Sequence, residues 1–193
     1  MIKEHNIAGN KIFTLDNKDN VLIEKLLQNN YSVHDYYMDI YNSNNFNSFY
    51  TPLEMDPKSK GPGYQNDLRN RGLHLEWEEY ICTPFNEHIN KEGIEGKDLF
   101  LFESWYLYQP NEDWIDNPPH QHQTANYVAV TYLELSEGDH IIFYDTENNP
   151  ESYYPKLGET VFFGGDIMHK PGESSGEKRV SLNGNLTYLE RKT

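Results

Sequence analysis

Apolar side chains recur at two different periods in this chain, and the change from one to the other falls near Lys97. Ahead of it the spacing is helical. In "DNVLIEKLLQNN", Val21, Leu22 and Leu26 follow Asp19 or Asn20 as a cap, which predicts one short helix ending at Asn29 and Asn30. "VHDYYMDIYNSN" predicts a second, with Val33, Tyr36, Tyr37, Ile40 and Tyr41 on one side. "LHLEWEEYI" predicts a third, carrying Leu73, Trp77, Tyr80 and Ile81 on a stripe, with Pro84 set to break or kink the chain beyond it. Between the last two, "EMDPKSKGPGYQNDLRNRG" is crowded with Gly, Pro and charge and reads as a long loop, either a solvated connector or a cover over a site.

From Lys97 onward the runs shorten and alternate. "DLFLFESWYLYQ", "ANYVAVTYLEL", "HIIFYD", "ESYYP", "ETVFF" and "RVSLNGNLTYL" predict strands, separated by the turn signals "SEGD", "TENN", "KLG" and "GGD". Strands of this length and spacing predict a β-sandwich or barrel with the helices packed on one face. A chain of 193 residues is expected to form a single domain, with 1–96 as helical and irregular support and 97–193 as the β core.

Charge narrows the partners. With 31 Asp and Glu against 16 Lys and Arg, the net charge of −15 repels phosphate backbones and anionic membranes. No nucleic-acid or membrane partner is expected. Cys82 is the only cysteine, which excludes an intrachain disulfide and a cysteine zinc cage, and suits a reducing compartment. The start has no basic segment followed by an apolar core, and no stretch approaches the roughly 18 apolar residues of a membrane span. The expected location is the cytoplasm.

The candidate chemistry lies in "NPPHQHQTANYVAV". Side chains two apart on a strand share a face, so His120 and His122 can offer two imidazoles to one metal ion. A third donor has to come from another strand, and "FFGGDIMHKPGE" offers His169 just past a Gly-Gly turn. In the last strand, Arg179, Ser181, Asn183, Asn185 and Thr187 occupy one face and Val180, Leu182 and Leu186 the other. If the polar face lines a cavity, Arg179 is a buried cation suited to a carboxylate held by paired hydrogen bonds, with Ser181 as a further donor. If it faces water, the same residues are ordinary surface.

These segments resemble the Fe(II)- and 2-oxoglutarate-dependent oxygenases, whose core is a double-stranded β-helix of the jelly-roll, cupin-like kind. The family carries a His-x-acid pair before a strand, a later His, and an Arg or Lys about a strand length beyond it. Here "HQH", "DIMH" and the Arg179 strand stand in those places, and "TYLEL", "YYPKLGETVFFGGDIMH" and "RVSLNGNL" resemble the prolyl-hydroxylase-like members. The match runs from about Trp105 to Leu189. The resemblance implies His120 and His169 as iron ligands, Arg179 holding 2-oxoglutarate with help from Ser181, and Tyr132 in contact with that cosubstrate. Tyr108 is expected to face the same pocket. Trp114, in the loop before the histidine pair, is placed either against a substrate or as an anchor of its own loop.

His122 departs from the family, standing where an Asp or Glu is usual. A third neutral imidazole leaves iron plus the 2-oxoglutarate dianion neutral overall, where a carboxylate would leave it singly negative. The activity implied is hydroxylation of a C–H bond of an amino-acid, peptidyl or small-molecule substrate, consuming O2 and releasing succinate and CO2. Two other readings stay open. Three imidazoles with an open position also describe a zinc hydrolase, although such an enzyme has no need of Arg179. A cupin-like binding domain without activity is the other, with His122 as its lesion. His34, His74, His88 and His140 have no partner at ligand spacing and are left out.

Overall fold

The computed structural model describes residues 1–16, 19–41, 71–91, 97–110, 118–173 and 178–190. The chain opens with β1 (Ile2–Ile7) and β2 (Asn10–Leu15), then α1 (Asn20–Tyr41) and α2 (Arg71–Lys91). Seven strands come after them: β3 (Lys97–Pro110), β4 (Tyr127–Glu134), β5 (Ile141–Tyr144), β6 (Pro150–Tyr153), β7 (Thr160–Gly164), β8 (His169–Pro171) and β9 (Lys178–Glu190). Every predicted strand after Lys97 is present.

The first half differs from expectation in three ways. The stretch read as irregular before the first helix is a hairpin whose two-residue turn, Ala8 and Gly9, has φ of 51° and 72°. Paired positive φ values are the turn geometry that matches strand twist, and Ala is a poor advertisement for it. Secondly, α1 is one helix where two were expected. Asn29 and Asn30 do not end it: Asn29 Nδ2 donates to the Tyr106 hydroxyl at 2.9 Å, so a tertiary partner absorbs one group that would otherwise favour a stop, while Asn30 is buried with its Nδ2 unmatched. The expected cap does hold, with Leu22 N–H donating to Asp19 Oδ1 at 3.0 Å. Thirdly, α2 runs through Pro84 to Lys91. Its buried stripe of Trp77, Ile81, Phe85 and Ile89 lies on either side of the missing backbone donor and outweighs it.

The strands form two antiparallel sheets, one of six in the order β1-β2-β7-β4-β9-β3 and one of three in the order β6-β5-β8. Alternation on the large sheet divides its residues between two cores. Ala129, Phe162, Val180, Leu182 and Leu186 join Trp77, Ile81 and Phe85 on the helix side. Val128, Val130, Tyr132, Val161 and Phe163 join Ile141 and Phe143 of the small sheet on the other. The layers are therefore helices, large sheet, small sheet. Gly184 lets the first two close up, since a Cβ there would stand 2.4 Å from Leu101 Cδ1 and 2.9 Å from the Trp77 ring. Among the described residues, no helix is long and apolar enough to cross a membrane.

Candidate metal centre and its cavity

Between the two sheets lies a cavity of about 470 Å3. Its walls include the polar face of β9, namely Arg179, Ser181, Asn183 and Asn185, and all three histidines singled out above. The backbone brings those histidines together. His120 and His169 exchange both backbone hydrogen bonds, at 2.9 and 3.0 Å, so two segments far apart in sequence become directly opposite partners. His122 N–H donates to Gly165 O at 2.8 Å. A Cβ on Gly165 would come within 2.2 Å of Ala125 O and 2.6 Å of His122 O, so the Gly-Gly turn is what allows this approach.

One ring nitrogen from each of His120, His122 and His169 lies within 4.8 Å of the others. Imidazole nitrogens sharing one ion at about 2.1 Å stand roughly 3 to 4 Å apart, so small ring rotations suffice to bring them onto a common metal. Protonation favours the same use. His120 Nδ1 faces Pro118 O at 2.9 Å and His169 Nδ1 faces Ile167 O at 3.0 Å. A carbonyl only accepts, so in the neutral ring Nδ1 carries the hydrogen and Nε2 is the nitrogen left with a lone pair. Burial pulls His122 down to about 4, with His120 pushing the same way and Asn185 opposing. Burial likewise takes His169 well below its ordinary value. Both are neutral donors at pH 7. The Trp105 ring stacks on His122, 5.6 Å between centroids and 12° between planes.

Arg179 is turned inward, with 2% of its surface exposed. Its Nη1 donates to His140 O at 3.0 Å and its Nη2 to Gly172 O at 2.7 Å. Asp139 Oδ1 lies 4.0 Å from Nη1 without a hydrogen bond of its own, while Ser136 N–H donates to Asp139 Oδ2 at 2.7 Å. Burial lowers the Arg179 pKa, and Tyr132 and Asp139 counter it. A guanidinium nonetheless stays charged at any physiological pH. Ser181 and Tyr132 are buried beside one another as register partners on β9 and β4, and burial raises the Tyr132 phenol. A cation on a wall that also carries a hydroxyl and a phenol fits a carboxylate ligand, as the three imidazoles fit a metal.

The side chain of one sequence candidate, Tyr108, and the whole of another, Trp114, lie outside the described residues; the Tyr108 backbone pairs with Val180, and Leu107 beside it pairs with Ser181 and lines the cavity. Sequence reasoning also misses wall residues. His140, without a partner at ligand spacing, holds Arg179 through its carbonyl and lays its ring against Gly172, where a Cβ would stand 2.2 Å from Nε2. Glu103 and Trp105 carry only a weak signal, the alternation of β3, and Asp139, behind the wall beside Arg179, only the turn before β5. His74, by contrast, bonds Ser104 through Nδ1 at 2.8 Å, and His88 packs edge-on against Phe13.

No family model and no curated protein matches this sequence. Several solved structures are similar in fold. An oxidoreductase of the 2OG-Fe(II) oxygenase family from Burkholderia pseudomallei aligns at TM-score 0.50 and 11% identity over 60% of this chain and 57% of its own, so the match spans little more than half of that protein. A truncated viral collagen prolyl hydroxylase from Paramecium bursaria Chlorella virus-1 aligns at TM-score 0.53 and 13% identity over 95% of this chain and 93% of its own. The non-heme alpha ketoglutarate dependent epimerase SnoN from nogalamycin biosynthesis aligns at TM-score 0.56 and 11% identity, over 95% and 81%. At these identities the likeness is one of fold.

Proposed function

We propose that this chain is a single-domain Fe(II)- and 2-oxoglutarate-dependent oxygenase with a double-stranded β-helix core. Its reaction is hydroxylation of a C–H bond in an amino-acid, peptidyl or small-molecule substrate, with O2 consumed and succinate and CO2 released. One observation carries the reading: three imidazoles from two distant segments converge on a cavity that also buries a guanidinium. His120, His122 and His169 would hold the iron, and Arg179, Ser181 and Tyr132 the 2-oxoglutarate. Together, iron and 2-oxoglutarate supply the oxidation of the C–H bond by O2.

The chain's own part is to bind, orient and exclude water. Backbone carbonyls aim the Nε2 lone pairs of His120 and His169. Val128, Val130 and Ile141 dry the wall between the imidazoles and Arg179. Carbonyls of His140 and Gly172 hold the guanidinium in place before any acid arrives, which limits the ordering cost of binding. The volume is in the range of small-molecule sites generally.

The donor set alone also suits a zinc hydrolase, since three neutral imidazoles with an open position are a catalytic zinc arrangement. Arg179 favours the oxygenase, because hydrolysis at zinc has no use for a buried carboxylate clamp. The test is anaerobic addition of Fe(II) and 2-oxoglutarate to the purified protein. A weak visible charge-transfer band is expected, and Arg179→Ala should raise the 2-oxoglutarate concentration needed for it by at least about tenfold while iron affinity holds. No band at saturation, with iron bound, defeats the proposal.

A further inference from the structure

The three imidazoles are not oriented by the same means. His120 and His169 each rest Nδ1 on the carbonyl two residues back. For His122 that carbonyl belongs to His120, and it already accepts the His169 N–H at 3.0 Å. A carbonyl already engaged is the weaker partner for His122, and another acceptor can decide which of its nitrogens carries the hydrogen.

Asn185 stands at the right place. It lies on β9 opposite Glu103 of β3 and Val128 of β4, and 4% of its surface is exposed. Its Nδ2 donates to Glu103 Oε2 at 2.6 Å, a short bond to a carboxylate. That bond sets the orientation of the amide and leaves Oδ1 as the one acceptor it can offer elsewhere. Oδ1 is buried and completes no hydrogen bond, and His122 lines the same cavity, with Asn185 among the groups that bear on its titration. A buried oxygen acceptor left open is costly unless a donor closes on it. The His122 ring, its plane held by Trp105, offers an N–H on the same cavity wall.

We infer that Asn185, held by Glu103, is a positioning residue that directs the N–H of His122 outward and so leaves its other nitrogen as a metal donor. The relay also returns charge to the site. Three imidazoles lack the negative charge that a carboxylate ligand would bring, and Glu103 supplies it two hydrogen bonds away. Polarisation along such a chain makes the imidazole a stronger donor. This inference rests on the three-imidazole reading of the centre.

The test is Co(II) titration of the full chain, followed by its visible absorption, with thermal unfolding of each variant measured alongside. Asn185→Leu should weaken Co(II) binding by about 10- to 100-fold. Glu103→Gln, which keeps an acceptor for Nδ2 but loses the charge, should weaken it by a smaller factor. In a His122→Ala background both changes should have no further effect, because a residue acting through His122 has nothing left to act on. Wild-type affinity in both variants, or an equal loss with and without His122, overturns the inference. If Asn185→Leu does not fold, the Glu103→Gln pair decides alone. A wild-type chain that takes up no Co(II) defeats the metal reading itself, whereas a wild type that binds it beside indifferent variants defeats only the role given to Asn185.

Discussion

The two faces of the six-stranded sheet are built from the same strands and are both buried, yet they are made of opposite chemistry. On β9, Val180, Leu182 and Leu186 look toward the helices while Arg179, Ser181, Asn183 and Asn185 look toward the small sheet. The helix-side face is what stability alone would select, since every apolar Å2 removed from water contributes about 25 cal/mol. Polar groups on the cavity side gain nothing comparable from burial and need a partner for each donor and acceptor. They are only partly matched. Arg179 has two carbonyls, but Asn185 Oδ1 is buried without a completed hydrogen bond. Open buried groups occur in the helices too, at Asn30 and Asn90, so it is the cavity lined by these polar side chains that makes this face the candidate functional side.

That contrast can be broken experimentally. The largest effect belongs on the helix side: Trp77→Ala removes a fully buried ring and its hydrogen bond to Thr131, and should cost about 3–5 kcal/mol in denaturant unfolding. Metal affinity of the protein that remains folded should not change. Next comes His169→Ala on the cavity side, expected to weaken Co(II) binding by more than about 100-fold, or about 2.7 kcal/mol. Its unfolding midpoint should move far less than that of Trp77→Ala. If the two variants damaged stability and binding in equal proportion, the division of labour between the faces would be lost. The smallest effect expected is that of Gly184→Ala, about 1–3 kcal/mol of overpacking, because the Trp77 ring and Leu101 already fill the space. A neutral outcome would show that the helices can ride outward from the sheet, and would soften the contrast.

Legibility divides along the same line. The alternation in "RVSLNGNLTYL" shows two faces of one strand, and both lie where that alternation puts them. The histidines of "HQH" and "DIMH" are legible as donors by residue type and spacing, although His120 and His122 lie ahead of β4 and are held there by backbone bonds to His169 and Gly165 and not by strand alternation. His140 and Asp139 are not, because their relation to Arg179 depends on where the turn before β5 lands relative to Gly172. The hairpin at the start escapes because its turn puts Ala8 at positive φ, against that residue's preference. α1 divides at Asn29 and Asn30 in the sequence because local propensity counts their polar groups as stops, and Tyr106 reaches one of them from β3.

Local order along the backbone sufficed for the β character of the second half, for the polar and apolar sides of β9, and for the residue types able to ligate a metal. Those properties depend on neighbours one to four positions away, which the linear text contains. Packing alone determined that His120 and His169 would bridge, that Arg179 would be drawn inside against two carbonyls, and that Glu103 would reach Asn185. Each of those contacts joins segments far apart in the chain, and their distances depend on how two sheets and two helices close over shared cores, a constraint no short window of residues expresses.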